Sequence, residues 1–396
     1  MTPPARLQAA IDVLAAWYDG APIEKALTNW ARGARYAGSK DRAAVRDIVF
    51  DCLRKRMYFN ALSGLPDSAR GLVIGHVAHG GGPVCEMFTE GGYGPAPLSA
   101  EERALLAAPK PEPVPQEGLE CPDWMAPEMA RSLGADAAEI VALMHARAPV
   151  FLRVNALKSD VAQAQSRLAS DKIETRSHPL SPHALEVVSN PRRVASSAAF
   201  KEGLIELQDA ASQAVVDVLP LPRETGKPLS VLDYCAGGGG KSLALAAKFR
   251  GPIVASDIKR DRMKDIPARA ARAGADVVVK SQAEVAQMPP FDLVFCDAPC
   301  SGSGAWRRNP EGKWRLTEER AAQIRDMQRD VLRDAAKLVA ENGALAYATC
   351  SVFRAENEDQ IAWFLAEHPG WRVSIERRFS PLEGGDGFYV AHLIAF

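Results

Sequence analysis

The sequence predicts an α/β protein whose C-terminal half is a doubly wound, Rossmann-like sheet of mainly parallel strands. Three observations carry this prediction. From Ser230 onward, short apolar runs alternate with amphipathic helical stretches; a run of four glycines, Gly237 to Gly240, joins the first strand-like run to the first helix; and Asp233, Asp257 and Asp297 stand at or just past the ends of three of the runs. Short apolar runs separated by helices form parallel strands with crossover connections, and such sheets bind ligands at the carboxyl ends of their strands.

The strand-like runs are Val231-Leu232-Asp233, Ile253-Val254-Ala255, Val277-Val278-Val279, Leu293-Val294-Phe295-Cys296 and Ala344-Leu345-Ala346-Tyr347, with a long helix expected over 318–340. The closing run, 388–396, reads as an antiparallel edge strand. Ahead of this catalytic-type domain (208–396), residues 146–207 read as a small α+β unit: strand-like at 150–154 and 184–188, helix-like at 161–168. Residues 1–75 read as helical, because Leu7, Ile11, Leu14 and Tyr18, then Val45, Ile48, Val49, Cys52 and Leu53, recur near the 3.6-residue period. Between these, 76–145 is rich in Gly and Pro, including Pro111-Glu112-Pro113-Val114-Pro115, and reads as a linker with short helices, one of them around 101–107.

At 396 residues the chain is long enough for two or three cores, and 47% hydrophobic with 24% charged residues is an ordinary soluble composition. No apolar stretch has spanning length, and the first ten residues lack a signal-type apolar core, so cytoplasmic residence without a membrane partner is expected. Seven scattered cysteines argue for free thiols, and Cys296 and Cys300 lack a second ligand pair at zinc spacing, so no metal is expected. The net charge of −1 advertises no polyanion. Basic residues nonetheless cluster over 1–60, which holds ten Lys/Arg against six Asp/Glu, and again at Arg307, Arg308, Lys313 and Arg315 interleaved with Trp306 and Trp314. Either cluster is a candidate phosphate-and-base platform or a solvated helix face.

The glycine turn excludes two phosphate-binding loops. A P-loop ending in Gly240-Lys241-Ser242 needs glycine where Cys235 stands, and a dinucleotide fingerprint from Gly237 needs glycine where Ser242 stands. An acid ending the first strand, glycines, and a second acid 24 residues later fit an S-adenosylmethionine loop, with Asp257 accepting bonds from ribose hydroxyls. The candidate cofactor set is Asp233, Ala236, Gly237, Gly238, Gly239, Gly240, Lys241, Asp257, Arg262, Gln282 and Asp297.

Two cysteines, Cys300 and Cys350, follow the ends of successive strands. Carbon 5 of cytosine is a poor nucleophile. Thiolate attack on carbon 6 makes it enamine-like, an acid near N3 stabilises the adduct, and a base removes the carbon-5 proton to release the thiol. Cys350, Asp297 and Cys300 could supply these three groups.

On these residues the chain resembles the Sun family of RNA (cytosine-C5)-methyltransferases, the RsmB-type bacterial enzymes especially. The resemblance runs through Arg153-Val154-Asn155, Leu157-Lys158, Gln208-Asp209, Ser212-Gln213, the loop from Asp233 to Ser242, Asp257, the segment from Asp297 to Gly304, and Thr349-Cys350-Ser351. It implies Cys350 as nucleophile, Cys300 in release of the methylated RNA, Asp297 on the target base, Asp257 on the cofactor ribose, and Gly239, Gly240 and Lys241 near the methionine moiety. It also implies that residues 1–75 are a NusB-like RNA-binding domain and 146–207 an RNA-binding subdomain, with ribosomal RNA favoured over transfer RNA as substrate. Two departures stand out: Gly237-Gly238 replace the family's Ala-Pro, and Lys280-Ser281-Gln282 stand where an adenine-contacting acid is usual, so Gln282 is expected to take that contact. The alternative is a non-catalytic RNA-binding or ribosome-assembly factor that keeps the fold. Amino-group methylation is disfavoured, because Asp297-Ala298-Pro299-Cys300 is not an Asn/Asp-Pro-Pro-aromatic signature.

Overall fold

The computed structural model describes residues 1–89, 91–110, 118–220 and 229–396. The chain forms two compact units, Met1–Arg147 with Trp306–Arg315, and Ala148–Ala305 with Leu316–Phe396. No helix among the described residues is long and apolar enough to cross a membrane.

The first unit is helical: α1 (Pro3–Tyr18), α2 (Ile23–Gly33), α3 (Ser39–Arg54), α4 (Arg56–Ser63) and α5 (Ala69–His79). Their apolar stripes meet in one core containing Leu7, Leu14, Trp17, Ile23, Val45, Val49, Leu53, Phe59, Leu72 and Ile74. Within 76–145, helices run over Val84–Met87, Ala100–Ala107, Ala126–Leu133 and Ala137–Met144, and Met125, Met129, Ile140 and Met144 are buried. The proline run over 111–115 lies outside the described residues.

The segment Trp306–Arg315 corrects one reading of the second basic cluster. Trp306, Arg307 and Lys313 are buried in the helical unit rather than presented to a ligand. Trp314 Nε1 donates to Leu53 O at 2.7 Å, and Arg54 Nε donates to Arg307 O at 2.8 Å. Glu311 receives both Trp17 Nε1 (3.1 Å) and the backbone N–H of Ile23, the first residue of α2. Pro22, at the N-cap of α2, makes no side-chain cap bond, so a carboxylate from almost 290 residues away caps that helix and complements its dipole. These basic and aromatic side chains are a plug for the helical core.

The second unit carries two sheets. The smaller is antiparallel, in the order β2-β3-β1-β4, from β1 (Phe151–Val154), β2 (Thr175–Ser177), β3 (Ala184–Val187) and β4 (Ile205–Leu207), with the helix Val161–Ser170 covering it through Ala164 and Leu168. The larger has seven strands: β5 (Val231–Asp233), β6 (Ile253–Ala255), β7 (Val277–Val279), β8 (Phe291–Asp297), β9 (Val339–Thr349), β10 (Trp371–Phe379) and β11 (Phe388–Ala395), in the order β10-β11-β9-β8-β5-β6-β7. Strands β5 to β9 are parallel, and β11 and β10 are antiparallel additions. The chain runs outward from β5 to β7 and then returns to β8 on the other side of β5. That reversal is a topological switch point, where a crevice opens at the carboxyl ends.

Two expectations are corrected. The closing strand is not an edge: β11 lies between β9 and β10, and β10 forms the edge. The long helix ends at Ala336, and Val339 already begins β9, which starts five residues ahead of its apolar run.

Candidate active site

The glycine turn is held from below, from the side and from the small sheet. Asp233 is fully buried at the end of β5 and accepts a 2.6 Å bond from Ser242 Oγ, tying the strand to the helix Gly240–Phe249. It therefore lies beneath the loop rather than on its open face, and its contribution to a ligand is the loop's shape. Ala236 N donates to Ser256 O (2.9 Å) and Gly239 N to Ala236 O (2.8 Å), closing a turn in which Gly239 has φ +81°. A Cβ there would stand 2.7 Å from Ile266 Cγ1, so both the backbone angle and the contact require glycine. Gly237 N donates to Asp257 Oδ2 at 2.9 Å, and Lys259 N donates to Asp257 Oδ1 at 2.8 Å. Arg262 reaches the same carboxylate at 3.1 Å with a side chain that is 58% exposed.

Two further carbonyls of the turn are gripped by arginines. Arg153 of β1, buried, donates to Gly240 O at 2.8 Å and to Gln208 Oε1. Arg269 donates to Gly238 O and, at 3.0 Å, to Glu206 of β4, which also binds Arg272. Burial pushes the Arg153 guanidinium down to about 10, still charged at neutral pH. The turn with two extra glycines is thus braced by the small sheet. Arg153 and Gln208 belong to stretches singled out in the sequence, but the bond of Arg153 to Gln208 crosses 55 residues and its bond to the turn 87, and neither leaves a local signal.

Burial pushes the Asp233 carboxyl up to about 7, against the lowering effect of Ser242; the negative charges of Asp297 and Asp257 act in the same direction as burial. An unfolded aspartate ionises near ~3.9, so the folded state binds the extra proton between about pH 4 and about 7, and stability falls as pH rises through that window. Asp233→Asn keeps an acceptor for Ser242 without the charge. It should flatten the decline of the thermal midpoint between about pH 4 and 7 and raise the midpoint above that window. A variant less stable than the parent at pH 8 would contradict this account.

The thiols come from the two neighbouring strand ends. Cys300, three residues past β8, and Cys350, directly after β9, place their sulfurs 3.3 Å apart. Ala298 N donates to Ala348 O (2.8 Å) and Gly304 N to Cys350 O (3.0 Å), joining the two loops by backbone bonds. A Cβ on Gly304 would meet Gly387 O at 1.9 Å, so only glycine lets this loop lie against the start of β11. Ser303 Oγ and Ser351 Oγ are 2.8 Å apart, and Asn357 Nδ2 donates to Ser351 O at 2.9 Å. Beside the thiols, Lys241 Nζ and Asp297 Oδ2 pair at 2.7 Å, with the ammonium 4.9 Å from the Phe388 ring centre. Burial opposes the charge on Lys241, but Asp297 outweighs it and holds the ammonium above its ordinary range; the Cys350 sulfur adds to that hold. The Cys300 thiol is pushed well up by its bond to Cys350, by burial, and by the nearby Cys350, Glu356 and Asp297 charges.

Lys241, Asp297, Cys300 and Cys350 therefore form one group, and Asp257 with Gly237 and Arg262 a second, on the other side of β5. Gln282 is the first residue of the short helix Gln282–Val285 and is half-buried. Ile258, 79% exposed immediately after Asp257, offers an apolar face that the sequence reading did not single out.

Residues 220–394 match the family described as 16S rRNA methyltransferase RsmB/F, and residues 121–194 match that family's ferredoxin-like domain. The chain belongs to the RsmB/F methyltransferase family. The ferredoxin-like match begins upstream of the 146–207 unit read from the sequence. Among RsmB/F relatives, the chain is 33% identical over 269 residues to a probable ribosomal RNA small subunit methyltransferase B of Bacillus subtilis (strain 168), covering 65% of this chain and 59% of that protein. It is 29% identical over 289 residues to ribosomal RNA small subunit methyltransferase B of Photorhabdus laumondii, covering 69% and 66%. The chain thus spans about three fifths to two thirds of the length of these relatives. In fold it is similar to the crystal structure of PH0851, with a TM-score of 0.75, 25% identity, and coverage of 100% of this chain and 99% of that one. It is also similar to a methyltransferase homolog protein from Pyrococcus horikoshii, with a TM-score of 0.61, 24% identity, and coverage of 71% and 97%.

Proposed function

We propose that this protein transfers a methyl group from S-adenosylmethionine to carbon 5 of a cytosine in RNA, ribosomal RNA rather than transfer RNA, through a covalent adduct on Cys350. The observation that carries this reading is the pair of thiols 3.3 Å apart at the ends of β8 and β9, beside the Lys241–Asp297 pair. Transfer to an amine needs no thiol, whereas carbon-5 chemistry needs a nucleophile and a second proton-handling group.

The bound cofactor would supply an electrophilic methyl on a sulfonium. Asp257 would hold its ribose hydroxyls, with Arg262 turning outward to open the carboxylate, which has acceptor sites beyond the three protein donors it already meets. Ile258 would lie against the adenine and Gln282 would meet its polar edge; the loop from Ala236 to Lys241 would pass along the methionine part. Cys350 attacks carbon 6, forming the S–C6 bond as electron density moves toward N3, where Asp297 would meet the base. Cys300 passes its proton to N3 as the adduct forms, so that once carbon 5 is methylated its thiolate takes the carbon-5 proton and the N3 proton leaves to solvent. The electrons of that C–H bond re-form the ring double bond, and the S–C6 bond breaks to return Cys350. Such a substrate places the protein in the cytoplasm with the ribosome.

Calorimetry with S-adenosylmethionine should show one site per chain, and bisulfite sequencing of ribosomal RNA from cells with and without the protein should show one protected cytosine lost. Absence of cofactor binding would favour the non-catalytic assembly factor. Binding with every protected cytosine retained would overturn the cytosine assignment.

A further inference from the structure

A single buried carboxylate joins the two thiol loops. Glu356 is 2% exposed, and its Oε2 accepts the backbone N–H of Ser301, the residue after Cys300, at 2.9 Å. The hydroxyls of Ser301 and Ser351, the latter next to Cys350, lie 3.4 Å from each other and favour the charged form of this carboxyl, and Asn357, the residue after Glu356, donates to Ser351 O at 2.9 Å. Gln328 Nε2 spans Pro299 O at 2.9 Å and Glu356 Oε2 at 3.5 Å, so the residue before Cys300 is tied to the same point. Behind it, Tyr347 OH donates to Glu356 O at 2.7 Å and Thr349 Oγ1 to Asn357 Oδ1 at 2.5 Å, anchoring the short helical turn Arg354–Glu356 to β9. Burial holds the carboxyl above its ordinary range, and the converging donors, which favour the charged form, offset only part of that.

We propose that Glu356 is a positioning residue that holds the two thiol loops together and keeps their shared proton on Cys300. The argument is geometric. Neither cysteine loop belongs to a helix or strand, yet the sulfurs lie within hydrogen-bonding distance; the Glu356 side chain binds the residue after Cys300, and the adjacent Asn357 binds the residue after Cys350. Its charge acts on Cys300, as does that of Asp297, whereas the ammonium of Lys241 senses Cys350. Negative groups around one sulfur and a positive group near the other make the pair asymmetric: Cys300 retains its proton and donates, and Cys350 accepts. The working roles of the two thiols rest on the proposed carbon-5 chemistry; the asymmetry itself does not.

Peptide-resolved alkylation of the full chain with iodoacetamide across a pH series tests this without RNA or cofactor. In the parent protein Cys300 should react roughly tenfold more slowly than Cys350 at pH 8. In Glu356→Gln the Cys300 profile should move to lower pH by about one unit and the rate ratio should shrink at least ~3-fold, with the exposed Cys85 unchanged as internal control. Glu356→Asp, which keeps the charge with a shorter reach, should retain most of the asymmetry. If the glutamine variant does not fold, Ser301→Ala removes a hydroxyl that favours the charged carboxylate and should shift the ratio in the same direction by a smaller factor. An unchanged ratio in every folded variant, or an aspartate variant indistinguishable from the glutamine one, would overturn the assignment. Loss of methyl transfer with the asymmetry intact would instead count against the carbon-5 reading.

Discussion

Cys350→Ala should lower methyl transfer to RNA by at least ~10⁴-fold while leaving S-adenosylmethionine affinity within about twofold, because removing a covalent nucleophile removes the pathway and not one interaction within it. Cys350 sits at the end of β9, on the far side of β8 from Asp257 and the backbone bonds of the glycine turn, so its side chain can be shortened without touching the carboxylate proposed to hold the ribose. The loop is carried by backbone bonds from Gly304 and by Asn357, neither of which uses the sulfur, so the variant should fold. Methyl incorporation from labelled cofactor, with calorimetry on the same preparation, reads both quantities. A variant retaining more than about a tenth of parental activity would exclude the covalent route.

Cys300→Ala should separate formation of the RNA adduct from its release. With Cys350 intact the first bond still forms and the methyl still moves, but the carbon-5 proton has lost its acceptor. Enzyme and RNA should then remain linked, migrating as one band under denaturing conditions. Turnover should fall by at least ~10²-fold, the usual scale of a lost general base. A Cys300→Ala protein that turns over normally, or one that forms no adduct while Cys350 stays reactive to iodoacetamide, would remove Cys300 from the release step.

What is legible in the sequence follows from where the determinants lie along the chain. The runs of β5 and β8 are short, apolar and buried, so periodicity alone exposes them, and Asp233 and Asp297 mark their ends. The opposition of Cys300 and Cys350 also follows from two adjacent parallel strands ending on one edge. The edge strand β10 is obscured because Arg372, Glu376, Arg377 and Arg378 interrupt half-buried Trp371, Val373 and Ile375, and its register breaks between the last two. The braces of the site are invisible for another reason. Glu206, Arg269, Gln328 and Glu356 are polar residues in stretches that read as solvated surface, and each finds its partners through tertiary contacts up to 66 residues away. Trp306 and Trp314 among arginines read equally as a nucleic-acid platform or a solvated face. They are neither, because the plug's partners, Leu53 and Trp17, lie more than 250 residues upstream.

That plug orders the protein's biosynthesis. The helical unit is the first part of the chain to be made, yet its core and the cap of α2 need residues synthesised about 170 positions after Arg147. At ~5–20 residues per second, its five leading helices wait on the order of 10–30 s with Trp17 and Leu53 lacking their final neighbours. During translation the helical unit is therefore an unfinished client with exposed apolar surface, and the last step of its folding is set by the arrival of Glu311 and Trp314.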